Sequence, residues 1–380
     1  MKYYIIAGEA SGDLHASNLM RELKQRDSGA EFRVWGGDLM AAEGGTLVRH
    51  YRDTAYMGVW EVLMHLRTIF RNLHYCREDI LRYVPDVIIL VDYPGFNMRI
   101  ARFAHNQGFR VFYYISPKIW AWNRGRVRRI RKFVDKMFTI LPFEAEFFAR
   151  YNVPVVYSGN PLLDAIHNRP HKNEDRSQFL TRHQLPDLPI IAVLAGSRRQ
   201  EIDRLLPDML AMMSHFPNHQ FIIAGAPSFS EADYAAYMPG RGNVRVIFDE
   251  TYAILQQARA AMVTSGTATL EAALLNCPQV VCYKMWGGRF THFMAKKVII
   301  QVPYISLVNL IVGRELVKEL FQSEMTAANL KTELEALVCD EQTRAIMFTG
   351  YEELQKIMGE PGCSEKTARL MLESLETDTN

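Results

Sequence analysis

The run IIAGEASGDLHASNLM, residues 5–20, decides how the rest of the chain is read. Its apolar start stops at Gly8. The small and polar Glu9, Ala10, Ser11, Gly12 and Asp13 follow, and then a helical pattern through Leu14, Leu19, Met20 and Leu23. A strand ending in a short polar turn that opens a helix is the first step of a doubly wound α/β sheet, whose ligands sit beyond the carboxyl ends of the strands. The turn lacks both G-x-G-x-x-G and G-x-x-x-x-G-K-[ST], so it is a weak nucleotide cradle. Glu9 and Asp13 would repel phosphate but suit sugar hydroxyls. The plainer alternative is that Ser11 or Asp13 caps the helix.

The same grammar recurs outward from this run. Apolar or β-branched segments at 3–7, 32–36, 87–91, 110–115, 136–141 and 155–159 alternate with helical patterns at 14–26, 59–83 and 97–107. Segment 168–179 is polar and turn-rich and reads as a linker. The alternation restarts at 190–196, 220–225, 244–248, 260–266 and 279–284. Continuous apolar strands between helices predict parallel sheets covered on both faces. The expected organisation is therefore an α/β chain of two doubly wound, Rossmann-like domains, 1–168 and 169–340, with C-terminal helices over 341–380 that could pack back on the first domain. A cleft between the domains is the default site.

Bulk properties narrow the classes. The 380 residues carry a formal net charge of +2 and are 48% hydrophobic, which points to a globular protein and gives no reason to expect nucleic acid as partner. Five scattered cysteines without a C-x-x-C pair fit a reducing, cytoplasmic setting. No run offers the ~20 apolar residues of a membrane span. His15, His65, His74, His105 and His292 are isolated from one another and there is no D-x-D pair, so no metal is expected.

Several turns carry residues suited to chemistry. In PDVIILVDYPGFN (85–97), Asp92 follows a five-residue apolar strand, where a carboxylate can act as general base. In VLAGSRRQEI (193–202), Ser197 and Arg198 follow a strand and open a helix, a combination suited to a diphosphate. In VTSGTATLEAALLNCP (263–278), Ser265, Gly266 and Thr267 again open a helix, and Glu271 can reach ribose hydroxyls. Asn309, Arg314 and Glu315 lie close together in SLVNLIVGRELVKEL (306–320).

Two segments suggest a membrane surface. MGVWEVLMHLRTIFRNL (57–73) sets Trp60, Leu63, Leu66 and Phe70 on a wide apolar helical face, which could equally face a core. PKIWAWNRGRVRRIRKF (117–133) places Trp120 and Trp122 before Arg124, Arg126, Arg128 and Arg129, and such a pairing suits anionic headgroups.

Taken together, GEASGD (8–13), MGVWEVL (57–63), VDYPGFN (91–97), YISPKIWAW (114–122), LAGSRRQEI (194–202), SGTATLEAAL (265–274) and LVNLIVGRELVKEL (307–320) resemble the lipid A disaccharide synthase family, in order along most of the chain. The resemblance implies a GT-B fold, with two Rossmann-like domains facing a central cleft. It implies an inverting transferase that joins UDP-2,3-diacylglucosamine to 2,3-diacylglucosamine 1-phosphate (lipid X), giving a β-1,6 disaccharide phosphate and UDP. No cofactor is implied, and the setting would be peripheral, on the cytoplasmic face of the inner membrane. A homodimer is compatible with it. By position, Asp92 matches the family's essential acid, and Glu9, Ser11 and Asp13 its first loop on the acceptor side. Arg198 matches a diphosphate contact, Ser265, Gly266, Thr267 and Glu271 the UDP turn, and Asn309 and Glu315 a polar pair near the donor. Gly95 stands where a second acid is expected, and Ala195 where a proline is. The rivals are a UDP-sugar 2-epimerase of the same fold and a non-catalytic lipid- or RNA-binding module.

Overall fold

A computed structural model describes residues 1–53, 66–117, 127–238, 240, 242–264, 266–284 and 303–377. The chain divides into two compact units, Met1–Asp164 with Glu360–Asn380, and Ala165–Gly359. Each is built on one parallel sheet.

The first sheet contains β1 (Lys2–Ala7), β2 (Glu31–Gly36), β3 (Thr46–His50), β4 (Val87–Val91), β5 (Arg110–Tyr114), β6 (Lys136–Thr139) and β7 (Val155–Tyr157), in the order β3-β2-β1-β4-β5-β6-β7. The second contains β8 (Ile190–Leu194), β9 (Gln220–Gly225), β10 (Val244–Phe248), β11 (Ala258–Thr264), β12 (Gln279–Tyr283) and β13 (Lys318–Phe321), in the order β10-β9-β8-β11-β12-β13. In each sheet the chain builds outward on one side and then jumps back across its first strand. The switch points are β1/β4 and β8/β11. Helix dipoles and strand ends open a crevice at such points.

Side-chain alternation explains why both sheet faces are covered. Tyr4, Ile6, Ile88 and Leu90 point to one face and pack with Leu73, Ile80, Ile100 and Ala104 from helices Leu66–Tyr83 and Pro94–Asn106. Tyr3, Ile5, Val87 and Ile89 point to the other and pack with Leu19 and Leu23 of helix Ala10–Arg26 and with Met371 and Leu375 of helix Cys363–Thr377. That last helix is fastened at its start by Asp164, whose carboxylate accepts N–H bonds from Gly362 (2.5 Å), Cys363 (3.2 Å) and Ser364 (3.2 Å).

Three features differ from the sequence expectation. Strands β3 and β13 were not anticipated: both lie at sheet edges, where one flank is open and the apolar run that marks a central strand is not required. The polar stretch 168–179 runs into a helix, Arg176–Arg182, opened by a reciprocal cap in which Gln178 N–H donates to Asp175 (2.8 Å) and Asp175 N–H donates to Gln178 (3.0 Å). The tail at 341–380 is shared: helix Glu341–Met358 falls in the second unit and helix Cys363–Thr377 in the first.

Candidate active site

In the first unit, Ala7 pairs with Val91, so the turn Gly8–Glu9 and the turn Asp92–Tyr93 leave adjacent strands side by side at the switch point. The approach is close: a Cβ on Gly8 would fall within the Tyr93 ring. Glu9 is the N-cap of helix Ala10–Arg26 through its backbone, and its side chain makes no capping bond. Ser11 is exposed on the first turn of that helix.

Asp92 and Tyr93 both have left-handed backbones, φ +43° and +47°. Two non-glycine residues in succession there are costly, and such strain persists only where surroundings impose it. The Asp92 carbonyl accepts from the Tyr113 hydroxyl (2.5 Å) and from Asn97 Nδ2 (2.9 Å), and its N–H donates to the Tyr114 carbonyl (3.1 Å). Asp92 itself is half-buried. The position therefore combines a carboxylate, a strand switch point and an imposed conformation.

Asp13 has a different occupation from the acceptor contact expected of it. It is only 3% exposed. Its carboxylate accepts from the N–H groups of Gly37 (2.7 Å), Met40 (3.2 Å) and Leu39 (3.2 Å), which open the short helix Asp38–Ala42. A carboxylate so placed shapes the neighbouring loop from behind.

In the second unit, Val263 pairs with Leu194, which brings the turn after β8 beside the turn after β11. Gly196 has φ +110°, and any Cβ there would strike Glu201. Glu201 accepts from the N–H groups of Ser197 (3.1 Å) and Arg198 (3.3 Å), closing a capping box on helix Arg199–Ala211. The two arginines separate in role. Arg199 is held by Asp233 and lies 4.9 Å from the Phe229 ring centroid. Arg198 is 68% exposed and 3.8 Å from Glu201, so it is the guanidinium within reach of an incoming anion.

Gly266 (φ +143°) caps helix Thr267–Leu274, whose first residue Thr267 is exposed. Ser265 lies outside the described residues. Glu271 is desolvated, and burial lifts its carboxyl from 4.5 to about 7. The Tyr252 phenol is pushed up by burial and then by the charge of Glu271, which puts the two in one electrostatic neighbourhood.

The 306–320 stretch does not assemble a shared polar site. It forms helix Leu307–Val312, a left-handed Gly313, and then β13. Asn309 is fully buried: its Oδ1 accepts from Leu316 and Val317, and its Nδ2 donates to the Val317 carbonyl and Glu319. Glu315 pairs with Lys318 (3.2 Å) and Arg314 with Glu353 (2.7 Å). Asn309 thus fixes the turn to β13, while Glu315 sits exposed on it.

Of the apolar face expected at 57–73, Trp60 and Leu63, and the side chain of Leu66, lie outside the described residues. Leu73 is core and Ile69 packs against it, whereas Phe70 is 59% exposed, with the Arg99 guanidinium over its ring at 5.8 Å. Trp120 and Arg124 are likewise outside the described residues, and Arg128 is exposed. Among the described residues, no helix is long and apolar enough to cross a membrane, and no group of three His, Cys, Asp or Glu could hold a metal.

Asn97, Tyr113 and Glu201 were not singled out by sequence. Asn97 sits in the quoted VDYPGFN block, and Glu201 stands three residues beyond the helix N-cap, a spacing that signals a capping box. Tyr113 gives no sequence signal beyond an apolar strand.

Comparison with known proteins matches a family model described as lipid-A-disaccharide synthetase over residues 3–371. Lipid-A-disaccharide synthases from Geobacter metallireducens and Geobacter sulfurreducens are 38% and 36% identical, each over 98% of this chain and 96% of the relative. Among solved structures, UDP-GlcNAc 2-epimerase from Neisseria meningitidis, bound to UDP-GlcNAc, superposes with a TM-score of 0.70 at 13% identity, covering 98% of this chain and 100% of that one. A S. aureus MnaA–UDP structure gives 0.70 at 13%, covering 100% and 98%. At that identity the likeness shows the fold, which is GT-B.

Proposed function

This chain belongs to the lipid-A-disaccharide synthetase family, a glycosyltransferase of lipid A biosynthesis, and from that premise we propose the reaction that its residues perform. The donor is UDP-2,3-diacylglucosamine and the acceptor is lipid X. The acceptor 6-hydroxyl gives its proton to Asp92 as its oxygen bonds to the anomeric carbon. The bond from that carbon to the β-phosphate oxygen breaks, and UDP leaves with the electron pair. One displacement inverts the anomeric centre and gives the β-1,6 disaccharide 1-phosphate.

The observation that carries this reading is the pairing of chemistry with topology. Each sheet has one switch point; a carboxylate on strained backbone stands at the first, and an exposed arginine at a helix N-terminus stands at the second. Arg198, Ser197, Gly266 and Thr267, with Ser265, hold the diphosphate. Fixed cations and backbone dipoles stabilise the charge that develops on the leaving group without a metal. Glu271 accepts from the ribose hydroxyls. Glu9 and Ser11 line the acceptor side, Asp13 holds the adjoining turn at residues 37–40, and Asn309 and Glu315 shape the donor-side turn.

Both substrates carry acyl chains, which gives the exposed Phe70, flanked by exposed Arg67 and Arg71, a purpose. We assign this face, with Trp60, Leu63, Leu66, Trp120, Arg124 and Arg128, to the cytoplasmic surface of the inner membrane.

The deciding experiment measures UDP release from UDP-2,3-diacylglucosamine, with and without lipid X, in EDTA. Release only with lipid X, with a disaccharide phosphate formed, is expected. No release in either condition, on folded protein, would overturn the substrate assignment and turn attention to epimerisation of other UDP-sugars. Activity that EDTA abolishes and a divalent cation restores would overturn metal independence.

A further inference from the structure

The geometry points to Asn97 and Tyr113 as positioning residues that hold Asp92 in its left-handed backbone conformation and so aim its carboxylate; the catalytic half of this inference rests on Asp92 being the base.

Backbone φ and ψ set the direction of the Cα–Cβ bond, so a residue held at φ +43° presents its side chain differently from the same residue in extended backbone. Asp92 lacks the freedom of glycine, and left alone it would leave this region. Its carbonyl is gripped by two buried donors from two different elements. The Tyr113 hydroxyl reaches it from β5 at 2.5 Å, and Asn97 Nδ2 reaches it from helix Pro94–Asn106 at 2.9 Å. Both side chains are 0% exposed.

The same Nδ2 lies 3.2 Å from the Val91 carbonyl and 3.3 Å from the Ile6 carbonyl. Val91 ends β4, and Ile6 is the penultimate residue of β1. One amide therefore ties together both strands that flank the switch point. Asn97 N–H also donates to the Tyr93 carbonyl (3.0 Å), bracing the second left-handed residue. Burial, and then the Asp92 charge, push the Tyr113 phenol well above its usual range, so it stays a donor at any working pH. The alternative is that these side chains merely satisfy a buried carbonyl, and the two readings part under test.

The first measurement uses backbone strain and no activity. Asp92→Gly and Asp92→Ala both remove the carboxylate, and only glycine relaxes in the left-handed region. In the otherwise native protein, Asp92→Gly should unfold at a higher temperature than Asp92→Ala. In a Tyr113→Phe background the gap should shrink, because the anchor that enforces the conformation has lost a bond. The second measurement is kinetic. Tyr113→Phe should lower kcat at least roughly tenfold while KM for both substrates and UDP affinity stay within about twofold. Asn97→Ala should do the same, and the double variant should lose less than the product of the two. Tyr113→Phe deletes a single oxygen, so the test survives if Asn97→Ala does not fold. An unchanged Gly–Ala gap overturns the positioning role, whatever the activity does. A shrinking gap with unchanged kcat keeps the anchoring and overturns its catalytic half, which then counts against Asp92 as the base.

Discussion

Asp92 and Glu271 are carboxylates in the same chain with opposite demands. Asp92 must be ionised to take a proton, and it stands half-exposed at a strand end. Asp92→Asn keeps the shape and removes the basicity, so kcat should fall by orders of magnitude while UDP affinity, assigned above to the second unit, stays nearly intact; initial rates and a UDP titration read the two separately. Burial lifts the Glu271 carboxyl from 4.5 to about 7. The folded state therefore holds this proton more tightly than the unfolded chain does. That contribution is complete below about pH 4.5 and is lost as pH rises through 7. Glu271→Gln should accordingly unfold at higher denaturant than the native protein above pH 7, by up to about 3 kcal/mol, with the gap closing towards pH 4.5. If the ionised carboxylate accepts from ribose hydroxyls, UDP should bind more tightly as pH rises through 7, and Glu271→Gln should flatten that dependence. Residue identity alone separates these two carboxylates poorly from Asp13. All three stand in or just before the first turns of a helix that follows a strand, and only packing reveals that Asp13 is spent on three backbone N–H groups.

At the scale of elements, the central strands were legible because burial on both faces demands an uninterrupted apolar run, as in VIILV. The edge strands TLVRH and KELF carry no such demand, and their mixed composition hid them. Helix Leu66–Tyr83 shows the limit of periodicity. Its apolar residues announce an amphipathic helix but not what each part of that face meets. Leu73 is 2% exposed and Phe70 is 59% exposed. Leu73→Ala should cost about 2–5 kcal/mol of stability. Phe70→Ser should change stability by about 0.5 kcal/mol or less yet weaken sedimentation with anionic vesicles. Equal losses of stability from the two would mean that Phe70 belongs to the core.

At the scale of the whole molecule, the first unit is completed by a segment from the far end of the chain. The chain leaves the first unit after Asp164 and returns to it at Glu360, and Ala368, Met371 and Leu375 then complete the core around Tyr3, Ile5 and Ile89. Deleting 360–380 should therefore lower the unfolding transition of the first unit while UDP still binds the second. Calorimetry with and without UDP checks this, and loss of UDP binding together with the fold would mean that the units are not separable in this way.

Two parallel-sheet α/β units, the family and the positions of the strand-to-helix turns were all legible in the sequence. Period-2 and period-3.6 apolar patterns, small residues in strand-to-helix turns and block motifs are local signals, and local signals survive without coordinates. Which polar side chains remain available is settled by packing between elements. Asp13 and Asn309 are consumed by backbone groups 24 to 27 and 7 to 8 residues away, respectively, Arg199 is consumed by Asp233, and Arg198 is left exposed. The left-handed backbone at Asp92 likewise needed the structure: one anchor, Asn97, stands five residues on in the same block, but the other, Tyr113, reaches in from β5, and neither residue type announces which carbonyl it will hold.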